Sequence, residues 1–272
     1  MTRIDLHLHS SASDGHLRPA ELVESARQRH LNAIALTDHD TTAGIAEAVT
    51  AAQGFPVIIP AIELTATDHN REIHILGYYI QPEHPALQDR LQRRQAERIA
   101  RARRIVARLS ELGAPVEWER VQLLAGSGTV GRPHIARALR QAGHVATVSE
   151  AFDRYLGDGR PAHISHPIFL PEEAIALIHQ AGGAAALAHP GLAPDYAALI
   201  ERLVPVGLDG IEAHHPGHGA AVRANLRGMA ARFNLVVTGG SDFHRPGDPL
   251  GGEHPPPTCL RDLRLRAGRG GG

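Results

Sequence analysis

The chain has 272 residues, 43% of them hydrophobic, which fits one large domain or one domain carrying a small insertion. Its 28 basic residues are all arginine and face 29 acids, so the formal net charge of -1 argues against a generally basic nucleic-acid binder. The single cysteine, Cys259, excludes disulfide scaffolds, thiolate zinc fingers and Cys-ligated iron–sulfur clusters; the absence of lysine excludes Schiff-base chemistry, a P-loop and a lysine-bridged metal pair.

Residues 3–6 alternate into a short strand that runs into His7 and His9. The opening MTRIDLHLHS has no basic segment followed by an apolar one, so no signal peptide is expected. No apolar run is long enough to span a membrane, and the expected setting is the cytoplasm. A helix over 19–30 opens with Pro19, and a buried strand over 32–36 precedes a second helix over 42–53. Apolar, β-branched residues make strands of 57–62 and 72–80, with no room for a helix between them. The rhythm returns late: helix 171–181 before strand 184–188, helix 194–203 before strand 208–212, helix 219–232 before strand 235–238. Strands alternating with helices predict a parallel α/β barrel or sheet.

Residues 82–168 break that rhythm. A long helix over 85–112 stops at Gly113, and shorter helical pieces follow at 117–124, 132–142 and 147–156. This stretch reads as a helical insertion, or cap, in a domain made of 1–81 and 169–272. The Pro- and Gly-rich tail from about 245 reads as loop.

The chemistry is carried by nine residues. His7 and His9 sit two apart on a strand, a spacing that points both rings to one side. Asp14 follows in a loop. His39 closes Thr37-Asp38-His39 at the end of the second strand, Glu63 sits just past the third, and His74 lies in the fourth. His189 follows the fifth strand, and Asp242 and His244 stand two apart after the last. Most stand at the C-terminal ends of predicted strands, the face on which barrels build active sites. Six histidines and three carboxylates exceed the needs of one metal ion and suit three, one carboxylate bridging. The mixed donors suit Mn, with Zn or Fe as alternatives.

Asp5-x-His7-x-His9, Thr37-Asp38-His39, Glu63 then His74, Ala188-His189-Pro190 and Ser241-Asp242-x-His244 together resemble the PHP (polymerase and histidinol phosphatase) family. The resemblance implies a distorted seven-stranded (β/α)7 TIM-like barrel, a trinuclear metal centre and phosphoesterase activity. It implies His7, His9, Glu63 and Asp242 on one metal, Glu63, His74 and His189 on a second, and Asp14, His39 and His244 on the third. Many relatives carry histidine where this chain has Asp14, a change that hardens the site. The resemblance is greatest to small bacterial members with a helical insertion, some acting on nucleoside 3′,5′-bisphosphates or on short RNA 5′ ends.

The expected reaction is hydrolysis of a phosphate monoester of a small nucleotide, foremost a nucleoside 3′,5′-bisphosphate. A hydroxide bridging two metals would attack, with Glu63, Asp242 and His189 as the catalytic set that holds it. For the leaving-group proton, a metal-bound water, His215 and Asp38 stay open. Asp38 is better read as a hydrogen-bond partner of a neighbouring ligand. In the insertion, Gly126 to His134 runs from a Gly-rich segment into a helix. There Arg132 and His134 are candidates to grip a second substrate phosphate.

His214 and His215 follow a strand at the pocket end, and His215 is the better candidate to face substrate. The ten remaining histidines are read as non-catalytic and Cys259 as an inert thiol. The arginines of helix 85–112 read first as a solvated face, with an electrostatic funnel for nucleotide or single-stranded RNA as the alternative. Aromatics at 4% leave few stacking platforms, which favours a small nucleotide over a long strand. The competing functions are an exonuclease working from RNA or DNA ends on the same metals, an amidohydrolase-type C–N hydrolase, and a non-catalytic metal-binding module. No obligate protein partner is expected.

Overall fold

The computed structural model describes residues 2–69, 71–126, 130–165 and 168–268, so Ser127, Gly128 and Thr129 of the Gly-rich segment, and His166, lie outside the described residues. The chain divides into two compact units, Met1–Asp89 with Phe169–Gly272, and Arg90–Ile168.

The first unit is a nearly closed, distorted barrel of seven strands whose order in the sheet follows the sequence. The strands are β1 (Ile4–Leu8), β2 (Ala33–Leu36), β3 (Val57–Asp68), β4 (Arg71–Tyr78), β5 (Ala184–Leu187), β6 (Gly210–His214) and β7 (Val236–Gly239). Helices α1 (Pro19–Gln28), α2 (Ile45–Ala52), α8 (Tyr196–Leu203) and α9 (Ala220–Phe233) make the crossovers between parallel neighbours, and α7 (Pro171–Gln180) precedes β5. β1 and β2 are buried along their whole length, as strands covered on both faces must be. Closure comes at the ends, where Leu8 bridges to Phe243 and the His9 amide donates to the Phe243 carbonyl at 2.9 Å.

The missing helix between β3 and β4 has a direct consequence. A short connection can join only antiparallel strands, so β4 runs against both β3 and β5. The hairpin is longer than the apolar run alone predicts, pairing from Ala61↔Tyr78 to Asp68↔Arg71, because the alternation continues past Glu63. The reversal also explains why His74 lies inside its strand. Where the chain runs backwards, the first half of the strand stands at the site end.

The tail corrects the sequence expectation of loop. Cys259–Arg266 form a helix, α10, whose Cys259 and Leu263 are buried with Ile4, Leu6, Ala184 and Val236 in the barrel core. One turn of spacing between two apolar residues was enough to dock it, despite the prolines before it.

In the second unit, the part of α3 (Pro85–Glu111) from Arg90 onwards packs with α4 (Trp118–Ala125), α5 (Arg132–Gln141) and α6 (Val148–Ala151) around Ile105, Leu109, Val121, Ile135 and Leu139. The reading of the α3 arginines as a solvated face fails at two positions. Arg94 and Arg101 are buried, at 2% and 4% exposure, and Arg101 donates through Nε to the Ile164 carbonyl at 2.6 Å. Inside a small helical unit a long arginine stem fills volume while its head finds acceptors.

Candidate metal centre

All nine nominated donors meet at one end of the barrel, and Glu63 is their hub. Its Oε2 lies 3.2 Å from His7 Nε2, 3.1 Å from His9 Nε2 and 3.3 Å from His39 Nδ1. Its Oε1 lies 3.0 Å from His74 Nδ1 and 3.3 Å from His189 Nε2. Asp242 Oδ1 approaches His7 Nε2 at 3.3 Å and His9 Nε2 at 3.2 Å, and Asp14 Oδ1 approaches His244 Nε2 at 3.4 Å. Four groups of donor atoms are tight enough for an ion: His9, Asp14, His39 and His244; His7, His9 and Glu63; His7, His189 and Asp242; and His39, Glu63 and His74.

Local structure holds these side chains in place. Alternation along β1 puts Ile4 and Leu6 into the core on one face and leaves His7 and His9 together on the other, toward the cluster. His189 and Asp242 take left-handed backbone conformations, φ 28° and 51°, which cost non-glycine residues energy and concentrate at functional sites. Gly240 lets β7's exit run against β1: a Cβ there would lie 2.3 Å from the His7 amide nitrogen. Asp38 accepts from the Ser10 amide at 2.7 Å, Ser10 Oγ at 2.7 Å and Ser13 Oγ at 2.6 Å, which ties down the loop that carries Asp14.

The donor set fits metal ions on two grounds. First, His7 Nε2, both ring nitrogens of His9, His39 Nδ1 and Glu63 Oε2 are buried without a hydrogen-bond partner among the described residues, a state proteins otherwise avoid. Second, the far nitrogens are already engaged. His7 Nδ1 donates to Glu212 at 3.0 Å, His244 Nδ1 to the Asp242 carbonyl at 2.9 Å, and His74 Nε2 to Glu72 at 3.3 Å. Those acceptors fix the hydrogen on the outer nitrogen and turn the inner lone pair toward the cluster, as in metal sites with oriented imidazoles.

Electrostatics agree with a cage that attracts cations. Burial works against His9 and His74 being charged, but the carboxylates of Asp242, Glu63 and Glu72 outweigh it and raise both to about 10. His39 goes the other way, to about 4, because burial and the neighbouring His9 and His74 disfavour its charge more than Glu63 and Asp14 favour it. Burial opposes ionisation of Asp14, Glu63 and Asp242, yet the surrounding imidazoles hold all three well below ordinary carboxylates.

His215 is buried and its Nε2 comes 3.4 Å from Asp242 Oδ2. Its Nδ1 accepts from the Gly217 amide at 3.0 Å. His214 does not join the cluster. Arg132 and His134 have partners within their own unit: Arg132 pairs with Asp158 at 2.8 Å, and His134 Nδ1 accepts from the Gly131 amide at 3.0 Å. Cys259 is buried, which pushes its thiol up to about 12 and keeps it protonated.

Two further carboxylates support the cluster: Glu212, which the sequence did not single out, and Asp5, which stands in the Asp5-x-His7-x-His9 motif without an assigned role. Glu212 is fully buried and accepts from His7 and from the His189 amide, the latter at 2.7 Å. Asp5 accepts from the amides of Ser241 at 2.9 Å and Gly251 at 2.8 Å. The signal was present: each is a lone acid inside an apolar strand, where an unpaired charge is not tolerated.

A seven-stranded distorted barrel closing on this donor cluster defines a metal-dependent phosphoesterase, a hydrolase of phosphoester bonds. The PHP domain model matches residues 5–156, and the chain belongs to the PHP family. It is 36% identical over 282 residues to a 3′,5′-nucleoside bisphosphate phosphatase of Chromobacterium violaceum, covering 98% of each chain. It is 38% identical over 254 residues to the 5′-3′ exoribonuclease Rnm of Salmonella typhimurium, covering 89% of this chain and 85% of that one. A solved structure described as an amidohydrolase from Chromobacterium violaceum, with bound sulfate and no metal, superposes with a TM-score of 0.87 at 35% identity, over 97% of each chain. No helix among the described residues is long and apolar enough to cross a membrane.

Proposed function

We infer that this chain is a phosphatase that removes one phosphate from a nucleoside 3′,5′-bisphosphate and leaves the nucleoside 5′-monophosphate. The observation that carries the reading is Glu63: its two oxygens face two separate sets of imidazole nitrogens, the arrangement a bridging carboxylate needs. The full-length likeness to a bisphosphate phosphatase supports the substrate.

In this reading three divalent ions, manganese foremost, are held by His7, His9, Glu63 and Asp242, by Glu63, His74 and His189, and by Asp14, His39 and His244. Such ions supply Lewis acidity toward the phosphate and toward the attacking water. The chain's own residues do the rest. Glu63, Asp242 and His189 fix the reacting end, and the strained backbones of His189 and Asp242 aim their side chains without rearrangement. His215, whose Nδ1 already accepts from Gly217, carries its hydrogen on Nε2 at the Asp242 edge of the site, where it can donate a hydrogen bond to a substrate oxygen. Asp38 is occupied by three hydrogen bonds and positions the Asp14 loop. Arg132 and His134 of the insertion, read here as a cap subdomain over 82–168, are assigned to the second phosphate on chemistry alone: a guanidinium fork beside a helix start.

The relative that is a 5′-3′ exoribonuclease favours a second reading, stepwise hydrolysis from RNA 5′ ends on the same centre. One experiment separates them. Manganese-loaded protein is given adenosine 3′,5′-bisphosphate and a 5′-phosphorylated tetraribonucleotide side by side. Phosphate release from the first with the second intact supports the phosphatase; shortening of the second at an equal rate supports the nuclease.

A further inference from the structure

On the outside of the barrel, away from the metal cluster, a half-open pocket of about 880 Å³ lies against β7 and α9. That volume suits a small organic ligand. Its polar lining is Thr2, Arg3, His214, Arg227 and His254, and no acidic residue lines it. Val237 and the prolines 255–257 supply an apolar wall.

The positive charge there is not neutralised. Arg227, His214 and His254 have no side-chain hydrogen bond or ion pair among the described residues. Arg3 donates only to the backbone carbonyls of Arg29 at 2.8 Å and Gly251 at 3.4 Å. The nearby acid Glu253 is already taken, both its oxygens bound by Arg223 at 2.7 and 2.9 Å. Burial first, then Arg223, push the half-buried His214 ring below its ordinary value, so it offers a neutral hydrogen-bonding edge.

The pocket is distinct from the metal centre because the two histidines at the exit of β6, His214 and His215, part from each other. The strand register shifts between Glu212 and His214, and while His215 reaches Asp242, His214 turns to the outer pocket.

We propose that this outer pocket is a second ligand site for a mononucleotide-sized phosphate ester, its phosphate met by Arg227 and His254 and its ring laid against Val237 and the prolines. Guanidinium and imidazole donors match a phosphate, and a flat apolar wall favours an ester with a heterocycle over the bare ion. The site stands independently of the reaction assigned to the metal centre.

Calorimetric titration of the manganese-loaded protein with adenosine 5′-monophosphate tests it, alongside Arg227→Glu and the Arg227→Ala/His254→Ala double variant. Both residues are exposed, so neither change threatens folding. The expected result is a binding event weakened at least about tenfold in both variants, with turnover at the metal centre within about twofold of the parent. Identical isotherms for all three proteins would overturn the proposal. Equal affinity for inorganic phosphate would also overturn it, since the apolar wall would then contribute nothing.

Discussion

Glu212 holds two donor residues of the cluster at once: its carboxylate accepts the His7 Nδ1 hydrogen at 3.0 Å and the backbone amide of His189 at 2.7 Å. One buried side chain thus orients a ring on β1 and a turn after β5. Glu212→Ala is expected to lower metal affinity by about 10- to 100-fold. Glu212→Gln keeps an acceptor oxygen and should recover part of it. Metal retained after dialysis against graded chelator reads the difference; equal retention in all three proteins would show that Glu212 has no positioning role.

The hub itself should be indispensable. Glu63→Ala is expected to abolish phosphate release and to reduce bound metal, because both of its oxygens serve the cluster. Unchanged turnover would contradict a bridging carboxylate. Elemental analysis of the same sample shows whether activity and metal are lost together.

Metal uptake should release protons. In the metal-free protein His9 and His74 stand at about 10, above the usual imidazole value of about 6.5. Raised pKa values contribute stability that is full below about pH 6.5 and is lost as pH climbs through 10. The metal-free protein should therefore lose thermal stability across that window. His39, held at about 4, acts in the opposite sense, losing its contribution as pH falls from about 6.5 to 4. The carboxylates of Glu212, Glu63 and Asp242 raise His7 as well, so at pH 8 manganese binding should release at least about two protons per chain, from His9 and His74, with His7 adding to them. Calorimetry in buffers of different ionisation enthalpy measures this number, and a value of zero would contradict the electrostatics of the cage.

Much of this site could be read from residue type and strand position. His7, His9, His39, His189, Asp242 and His244 follow apolar runs that any barrel would turn into strands, so their convergence was predictable. Glu212 and Asp5 were harder, because a buried acid shows its partner only when the fold brings a distant strand alongside it. The direction of β4 followed from the missing helix, yet its effect on His74 needed the actual pairing. The helix at Cys259–Arg266 was hidden by neighbouring proline and glycine, and only the core it covers explains it.

That helix gives a stability test. Leu263→Ala removes a fully buried side chain and should cost about 2–5 kcal/mol in urea unfolding. Leu265 on the same helix is 61% exposed, and its replacement by alanine should change stability by less than about 0.5 kcal/mol. Equal effects would mean that α10 does not dock as described.

Gly240→Ala probes the approach of β7 to β1. A Cβ at 2.3 Å from the His7 amide forces a backbone shift, with an expected cost of about 1–3 kcal/mol or more and weaker metal binding. Parent-like stability and metal content would show that the two strands can separate without disturbing His7.

The central claim is tested most directly by titrating metal-stripped protein with manganese while following phosphate release from adenosine 3′,5′-bisphosphate. The account predicts release that climbs to a plateau at three ions per chain, with adenosine 5′-monophosphate as the other product. A plateau at one ion, or no release at any manganese concentration, would contradict it.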